Sequence, residues 1–313
     1  MQATSNHLAN NNSHPDLSVL GGGIAIVTGG ASGIGLALVE RSIEQKMHCV
    51  IADIDKNALS QAIETTAANA DRHDVEVLAV RTDVSSVDSI DELYEATREK
   101  FADKPISLLC CNAGVGAGGG VLSARDVDWE FVLGVNLMGV VYCLRKFVPR
   151  MLEQDAPGSV MATSSQDGIC AAQGVYGVSK HACVALMEAL HGEVRGRISV
   201  HVLCPNAVAT NIVHSELHRP TRYGGVEHDQ TTVAHTPVSK VAERFKQYGM
   251  PPARCAKFVF NAIESGVFYV LAEAEDDEGY VRLEAETRMK AILNGTRPYR
   301  PQSALLRKIF VGD

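Results

Sequence analysis

The residue types best suited to chemistry are a tyrosine and a lysine four apart, in the stretch Tyr176-Gly177-Val178-Ser179-Lys180. At i,i+4 on a helix the phenol and the ammonium share one face. A phenol with its ordinary pKa near ~10 is a poor base at neutral pH, and a neighbouring cation lowers that value by stabilising the phenolate. Such a pair suits proton transfer to and from an alcohol oxygen. The same spacing arises by chance on surface helices, so the pair needs company. Upstream lies Ser164-Ser165-Gln166-Asp167-Gly168. A hydroxyl there would hold a substrate oxygen beside the phenol, although two serines before a glycine also make an ordinary turn. The choice between Ser164 and Ser165 stays open at this point.

A second group of residues suits a dinucleotide. In Thr28-Gly29-Gly30-Ala31-Ser32-Gly33-Ile34-Gly35 the glycines permit a tight turn and close backbone approach to a pyrophosphate. A helix opening there offers free N–H groups and a partial positive charge to phosphates. Asp53 ends the next apolar run. Its carboxylate can accept from both hydroxyls of an adenosine ribose and would repel the extra phosphate of NADP. Asp55 competes for that role, and either aspartate could instead open the following helix. No Arg or Lys lies in the glycine turn. Asn112-Ala113-Gly114 follows a further apolar run, and small residues there leave room for a cofactor across a sheet.

The elements that must position these groups are strands and helices in alternation. Strands are predicted at Ile24–Thr28, His48–Asp53, Val75–Thr82, Ile106–Cys111, Ser159–Thr163, Ile198–Cys204 and Val267–Leu271. They are nearly continuous in apolar residues, as in parallel strands covered on both faces. Helices are predicted over about Ser86–Phe101, Val127–Glu153 and Tyr176–Val194. The alternation predicts an α/β fold, a single-domain Rossmann-like doubly wound parallel sheet with helices on both faces. Residues 1–18 read as a disordered tail without the features of a secretory signal. Residues 19–313 read as one domain, with a substrate lid at about 211–250 and a C-terminal extension at about 273–313.

The chain has 313 residues, 46% of them apolar and 21% charged, with a net charge of −8. That composition fits a soluble globular domain. The acidity, with no basic stripe, argues against nucleic acid, and no uninterrupted apolar run reaches the ~20 residues needed to span a bilayer. The eight cysteines form no CxxC pair and sit mostly in apolar runs, so buried reduced thiols in a cytoplasmic protein are expected. His214 and His218 have helical spacing, but no third ligand is evident. Together with His228 and His235 they read as lid histidines rather than a metal site.

Together and in this order, these residues resemble the compact single-domain branch of the short-chain dehydrogenase/reductase family, over about Ile24 to Leu271. The resemblance implies Tyr176 as general acid/base and Lys180 as holder of the nicotinamide ribose. It implies Ser165 as the residue orienting the substrate oxygen and Asn136 as support for a proton-relay water. It further implies a cofactor site of Gly29, Ser32, Gly33, Ile34, Gly35, Asp53, Asp83, Val84, Asn112, Ala113, Gly114, Pro205, Val208 and Thr210, with Tyr176 and Lys180. Two departures stand out. Asn206 occupies a position where the family usually has glycine after the proline, and asparagine tolerates left-handed backbone. The interval from Ser165 to Tyr176 is shorter than usual, which suggests a trimmed substrate loop. The expected function is NAD-dependent interconversion of a secondary alcohol and a ketone by a homodimer or homotetramer, with a polar or aromatic substrate. The rival readings are an NADPH-dependent carbonyl reductase and a nucleotide-binding regulator with an inactive site.

Overall fold

The computed structural model describes residues 17–312 apart from 117, 195, 227–231, 234–235, 278 and 302. The expected tail up to residue 16, with His228 and His235, thus lies outside the described residues. Leu17–Leu20 forms a 3₁₀ turn whose Leu17 and Leu20 are buried.

Seven strands form one sheet: β1 Ile24–Thr28, β2 His48–Asp53, β3 Val77–Arg81, β4 Ile106–Cys111, β5 Ser159–Thr163, β6 Ser199–Pro205 and β7 Tyr269–Ala272. Their order is β3-β2-β1-β4-β5-β6-β7, and every pairing is parallel. A parallel neighbour requires a crossover, and these are supplied by α1 Gly33–Glu44, α2 Lys56–His73, α3 Val87–Lys100, α4 Asp126–Leu133, α5 Gly139–Glu153, α6 Gly174–Val194 and α8 Pro252–Ser265. Three more helices, α7 Val238–Tyr248, α9 Tyr280–Leu293 and α10 Ala304–Phe310, belong to the lid and the C-terminal extension. A two-residue strand pair, Thr232–Val233 with Thr236–Pro237, precedes α7.

Alternation along β1 shows why the strands read as continuous apolar runs. Ala25 and Val27 join the core that contains α1 and α8, while Ile24 and Ile26 join the core that contains α3, α5 and α6. Both faces are covered, so the interior positions of the strand are apolar and a polar side chain, Thr28, comes only at its end. The chain order reverses at β1 and β4, which opens a crevice at their carboxyl ends.

The bounds of β1, β2, β4 and β5 match the expectation, and β6 is displaced by one residue. Two strands start later than their apolar runs do. Val75 donates to the carbonyl of Ala70 behind a left-handed Asp74, and Val267 donates to Ala262 behind a left-handed Gly266. These apolar residues close helices instead of opening strands.

The long helix expected at about Val127–Glu153 is α4 and α5 joined through one π-helical turn, Gly134–Met138. By length and composition Asp126–Glu153 is apolar enough to cross a membrane, although charged residues interrupt it. Its apolar face, with Phe131, Val140, Leu144, Phe147 and Met151, is buried in the core beneath the sheet, as in a core helix. All eight cysteines are buried and free.

Candidate active site

The glycine turn links β1 to α1. Gly33 has φ +52, a left-handed value that glycine adopts without cost, and a Cβ there would sit 3.0 Å from the Thr210 methyl. A Cβ at Gly35 would lie 1.9 Å from the Gly29 carbonyl oxygen, so the helix can reach the turn only with glycine here. Ser32 stands at the N-cap of α1 without a side-chain cap hydrogen bond, which leaves the first amides of the helix uncapped by a side chain. Ser32, Gly33 and Ile34 line a cleft of about 1040 Å³.

At the floor of the cleft Asn112 ties three strands. Its amide donates to the carbonyls of Thr28 and Gly29 at 3.2 Å, and its Oδ1 accepts from Thr163 Oγ1 at 2.9 Å. The backbone N–H of Ala113 donates to Thr28 Oγ1 at 3.1 Å. The turn, β4 and β5 are thus locked together where a dinucleotide would cross.

The two competing aspartates separate in role. Asp55 is the N-cap of α2, accepting from the amides of Asn57 and Ala58 at 2.8 and 3.2 Å. Asp53 lines the cleft and accepts from the amides of Ala31 and Asp55, each at 3.1 Å. Burial pushes the Asp53 carboxyl above the ordinary carboxylate value, and those two amides work against the rise. Its oxygens retain lone pairs for further donors.

Asp83 and Val84 line the same cleft, but Asp83 is already engaged. It accepts from the amide and hydroxyl of Ser85 and pairs with Arg222 Nη2 at 2.7 Å. On the opposite lip His218 lies 3.9 Å from Asp55. The lid residues between these two contacts therefore straddle the groove. Within the stretch expected as a lid they form 3₁₀ turns at Ile212–His218 and Thr221–Tyr223, and α7 follows. The anchor is Arg219, whose side chain is 1% exposed. It reaches Asp128 at 2.9 Å and Glu216 at 2.6 Å, and its guanidinium stacks 4.4 Å from the Phe131 ring. No metal cluster occurs among the described residues.

Past β6, Pro205 ends the strand, and Val208 bridges to Met250. Asn206 does not adopt the left-handed backbone offered as the reason it could replace glycine. Its side chain is used instead: Nδ2 donates to Asp277 at 2.7 Å and Oδ1 accepts from the amide of Ala207 at 2.7 Å. Asparagine here ties the loop to the C-terminal extension.

The candidate catalytic groups meet above Gly114. A Cβ on Gly114 would stand 3.2 Å from Lys180 Nζ and 3.3 Å from Asn136 Oδ1, so the glycine leaves the space in which the two converge. Asn136 sits in the π turn that interrupts the long helix, a distortion found often at functional sites. It accepts from the Val115 amide at 2.8 Å and donates to Ser179 Oγ at 3.0 Å. Lys180 is buried and donates to the Thr163 carbonyl at 2.9 Å. Ser164 donates to the Lys180 carbonyl at 2.8 Å and is occupied. Ser165 hydrogen-bonds the Tyr176 phenol and accepts from the amide of Asp167 at 3.1 Å.

The electrostatics differ from the expectation in one respect. Lys180 Nζ lies 5.6 Å from the Tyr176 ring centroid, yet burial dominates and pushes the phenol up, with Asp167 adding to the rise and the Ser165 hydrogen bond opposing it. Burial also pushes the Lys180 ammonium down. In the bare chain the phenol is thus raised by desolvation, not lowered by Lys180 as expected.

The sequence model described as short chain dehydrogenase matches residues 23–220. The chain belongs to the short-chain dehydrogenase/reductase family. A "CLA biosynthesis dehydrogenase/reductase" of Lactiplantibacillus plantarum is 31% identical over 262 residues, 80% of this chain and 88% of that protein. A "C alpha-dehydrogenase" of a Sphingobium species is 26% identical over 280 residues, 88% and 87% of the two chains. A short-chain dehydrogenase/reductase from Burkholderia phymatum, solved in complex with NAD, superposes with a TM-score of 0.80 at 32% identity, covering 91% of this chain and 99% of its own. This family member is an oxidoreductase whose relatives include named dehydrogenases acting on hydroxyl groups.

Residues beyond 220 fall outside the family match, and sequence reasoning found no motif there. Yet Tyr280, Arg300, Pro301, Ser303, Leu306 and Phe310 of the C-terminal extension line the cleft with Tyr176. The available signal was weak: Tyr280 and Glu284 stand at i,i+4, and their side chains meet at 2.6 Å.

Proposed function

We propose that this enzyme oxidises a secondary alcohol to a ketone with NAD⁺, Tyr176 acting as base and Lys180, Ser165 and Asn136 supporting it. The observation that carries the reading is the convergence of Lys180 Nζ and Asn136 Oδ1 over Gly114, next to a phenol hydrogen-bonded by Ser165. The cradle fits a dinucleotide, since the glycine turn, the uncapped start of α1 and Asn112 leave a channel that side chains would fill. When bound, NAD⁺ supplies the hydride acceptor and a positive charge near the phenol. Tyr176 takes the hydroxyl proton of the alcohol as the carbinol hydrogen departs with its electron pair, and in the reverse direction it returns that proton. Ser165 fixes the substrate oxygen. Lys180 and Asn136 hold the proton path open and the ribose end in place. Asp53, free to accept two ribose hydroxyls and hostile to a phosphate, favours NAD over NADP.

The substrate end of the cleft is amphipathic, with Leu306 and Phe310 as apolar lining and Asp167 and Arg300 as charged lining. It suits an aromatic or alicyclic secondary alcohol carrying polar groups. For assembly the reading favours a homodimer or homotetramer through α5 and α6, which light scattering at micromolar concentration tests. The functional test is a panel of secondary alcohols and cyclic ketones followed by NADH absorbance, run beside Tyr176→Phe. Turnover that the variant abolishes is expected. Tight NADH binding with no turnover of any compound would favour a nucleotide-binding regulator instead.

A further inference from the structure

The C-terminal extension brings one arginine to the substrate side of the catalytic tyrosine. Arg300 is 15% exposed and sets Nη1 2.5 Å from Asp167 Oδ1. Its Nε lies 2.7 Å from Oε1 of Glu284, whose side chain is fully buried. Asp167 belongs to the 3₁₀ turn Gln166–Gly168 capped by Ser165, the hydroxyl that also bonds the Tyr176 phenol. Asp167 on this turn and Tyr176 on α6 therefore share Ser165 as a neighbour and face one cleft, which Arg300 lines as well.

The extension is fastened where Arg300 enters it. The Tyr280 hydroxyl lies 2.6 Å from both Glu284 Oε1 and the Pro301 carbonyl oxygen, with one proton to give between them, and Ser303 donates to Asp277 at 3.0 Å. Phe310 packs edge-on against Phe245 of α7 with centroids 5.6 Å apart. Arg300 is thus held in place by its surroundings, not laid on the surface.

We propose that Arg300 is a positioning residue of the hydride-transfer site: by cancelling the charge of Asp167 beside Tyr176, it sets the pH range in which this enzyme oxidises its substrate. The proposal rests on Tyr176 being the acid/base. From its own helix the phenol faces Lys180 and Cys183, and from the capped turn Asp167. From the C-terminal extension Arg300 and Glu284 stand behind Asp167, and Cys170 and His181 also lie within its reach. Among the charged groups acting on the phenol, Asp167 opposes phenolate formation. An arginine bonded to that carboxylate spreads and offsets its field. Without Arg300 the site would carry two uncompensated acids, Asp167 and Glu284, behind the base.

The test compares pH profiles of kcat/KM for alcohol oxidation in four proteins. Arg300→Gln, leaving Asp167 unpaired, should move the alkaline limb up by about one pH unit, roughly tenfold in rate at a fixed pH below the limb. Asp167→Asn should move it down by a similar amount, and the double variant should return near wild type. Opposite signs that cancel are a signature which simple loosening of the extension does not give. Should Arg300→Gln unfold because Glu284 is left buried and charged, Arg300→Gln with Glu284→Gln serves in its place. The ionisation of Tyr176 is also read directly, by NMR of carbon-labelled tyrosine in the NAD⁺ complex. A limb that stays put in all variants, or that moves the same way in both single variants, overturns the proposal. A wild-type limb that survives in Tyr176→Phe instead overturns the assignment of the base, and is distinguishable from either.

Discussion

On the side of the cleft beneath β1 and β4, the surface is shaped by main chain. Gly29 and Gly33 turn with positive φ, Gly35 lets α1 approach, and the Asn112 amide clamps two carbonyls. On the side facing the C-terminal extension, the wall is made of side chains, Leu306 and Phe310 beside the ion pair of Arg300 with Asp167, and the buried Glu284 stands behind it. Main chain presents the same hydrogen-bonding groups whatever the neighbouring sequence, which suits a ligand of constant chemistry such as a dinucleotide. Side-chain clusters change their shape and charge with every substitution, which suits a part of the site that must fit one substrate. The two sides meet at Tyr176, and the comparison can be broken there first.

Tyr176→Phe removes one hydroxyl from the boundary. The largest effect is expected here, a fall in kcat of about 10²–10⁴-fold, as for other positioned acid/base groups. NADH affinity should stay nearly unchanged, because the main-chain cradle is untouched, and fluorescence titration checks it. Burial and Asp167 hold the phenol high in the bare chain, so oxidation should rise with pH as the phenolate forms, and this limb should vanish in the variant. Lys180→Ala should cost more than Tyr176→Phe and should weaken NADH binding as well. Wild-type kcat in Tyr176→Phe would withdraw the whole assignment.

Arg219→Met tests the lid's anchor rather than its chemistry. Removing one partner from a buried ion-pair network leaves Glu216 and Asp128 without their shared cation. Asp128 keeps Arg125 at 2.8 Å, so a loss near the low end, roughly 3 kcal/mol, is expected. The denaturation midpoint should fall with an unchanged slope. Arg125, more than any other group, holds the Asp128 carboxyl down at about 2. The folded value lies below the unfolded one near ~3.9, so this contribution is present above that pH and fades as pH falls toward 2.

The difference between the two sides also decides what the sequence discloses. Glycine turns, Asp53 and the Tyr176–Lys180 spacing are local, so a few adjacent residues carry the signal. Strands β1, β2, β4 and β5 are legible for a related reason, since burial on both faces leaves mostly apolar residues. Val75 and Val267 misled because apolar character does not distinguish the first residue of a strand from the residue that closes a helix. Arg300 and Asp167 were beyond reach because nothing local pairs residues so far apart in the chain. Asn206 shows a subtler failure. Its departure from glycine was noticed, but its partner Asp277 lies in the extension, and only the fold brings the two together.

Asp53→Ala alters one side chain on the side otherwise built from main chain. It should narrow the preference for NAD over NADP in kcat/KM by at least about tenfold, close to 1.4 kcal/mol. Loss of two ribose contacts should account for part, and loss of repulsion toward the phosphate for the rest. The amides of Ala31 and Asp55 would lose their acceptor, so thermal stability should fall modestly. Wild-type preference for NADP would show that Asp53 has been misread.

The smallest effect concerns the lid, where the two sides touch. A uniformly mobile lid from Asn211 to Met250 would exchange its amide hydrogens quickly throughout. The structure argues for two behaviours instead. Arg219 is buried against Asp128 and Phe131, and Arg222 and His218 reach both lips of the cleft. Opening Ile212–Tyr223 must therefore break a buried ion-pair network, whereas the strand pair ahead of α7 spans two residues in each strand. Hydrogen exchange without ligand should show slower exchange at Ile212–Tyr223 than at Thr232–Val233. NADH should slow Ile212–Tyr223 by a further several-fold as the groove fills. Arg222→Ala should remove part of that added protection, because the contact with Asp83 across the cleft would be gone, while leaving Arg219 to hold the segment. Equal protection across the lid, unchanged by NADH, would mean that the lid is a fixed wall of the substrate side and no part of the cofactor side.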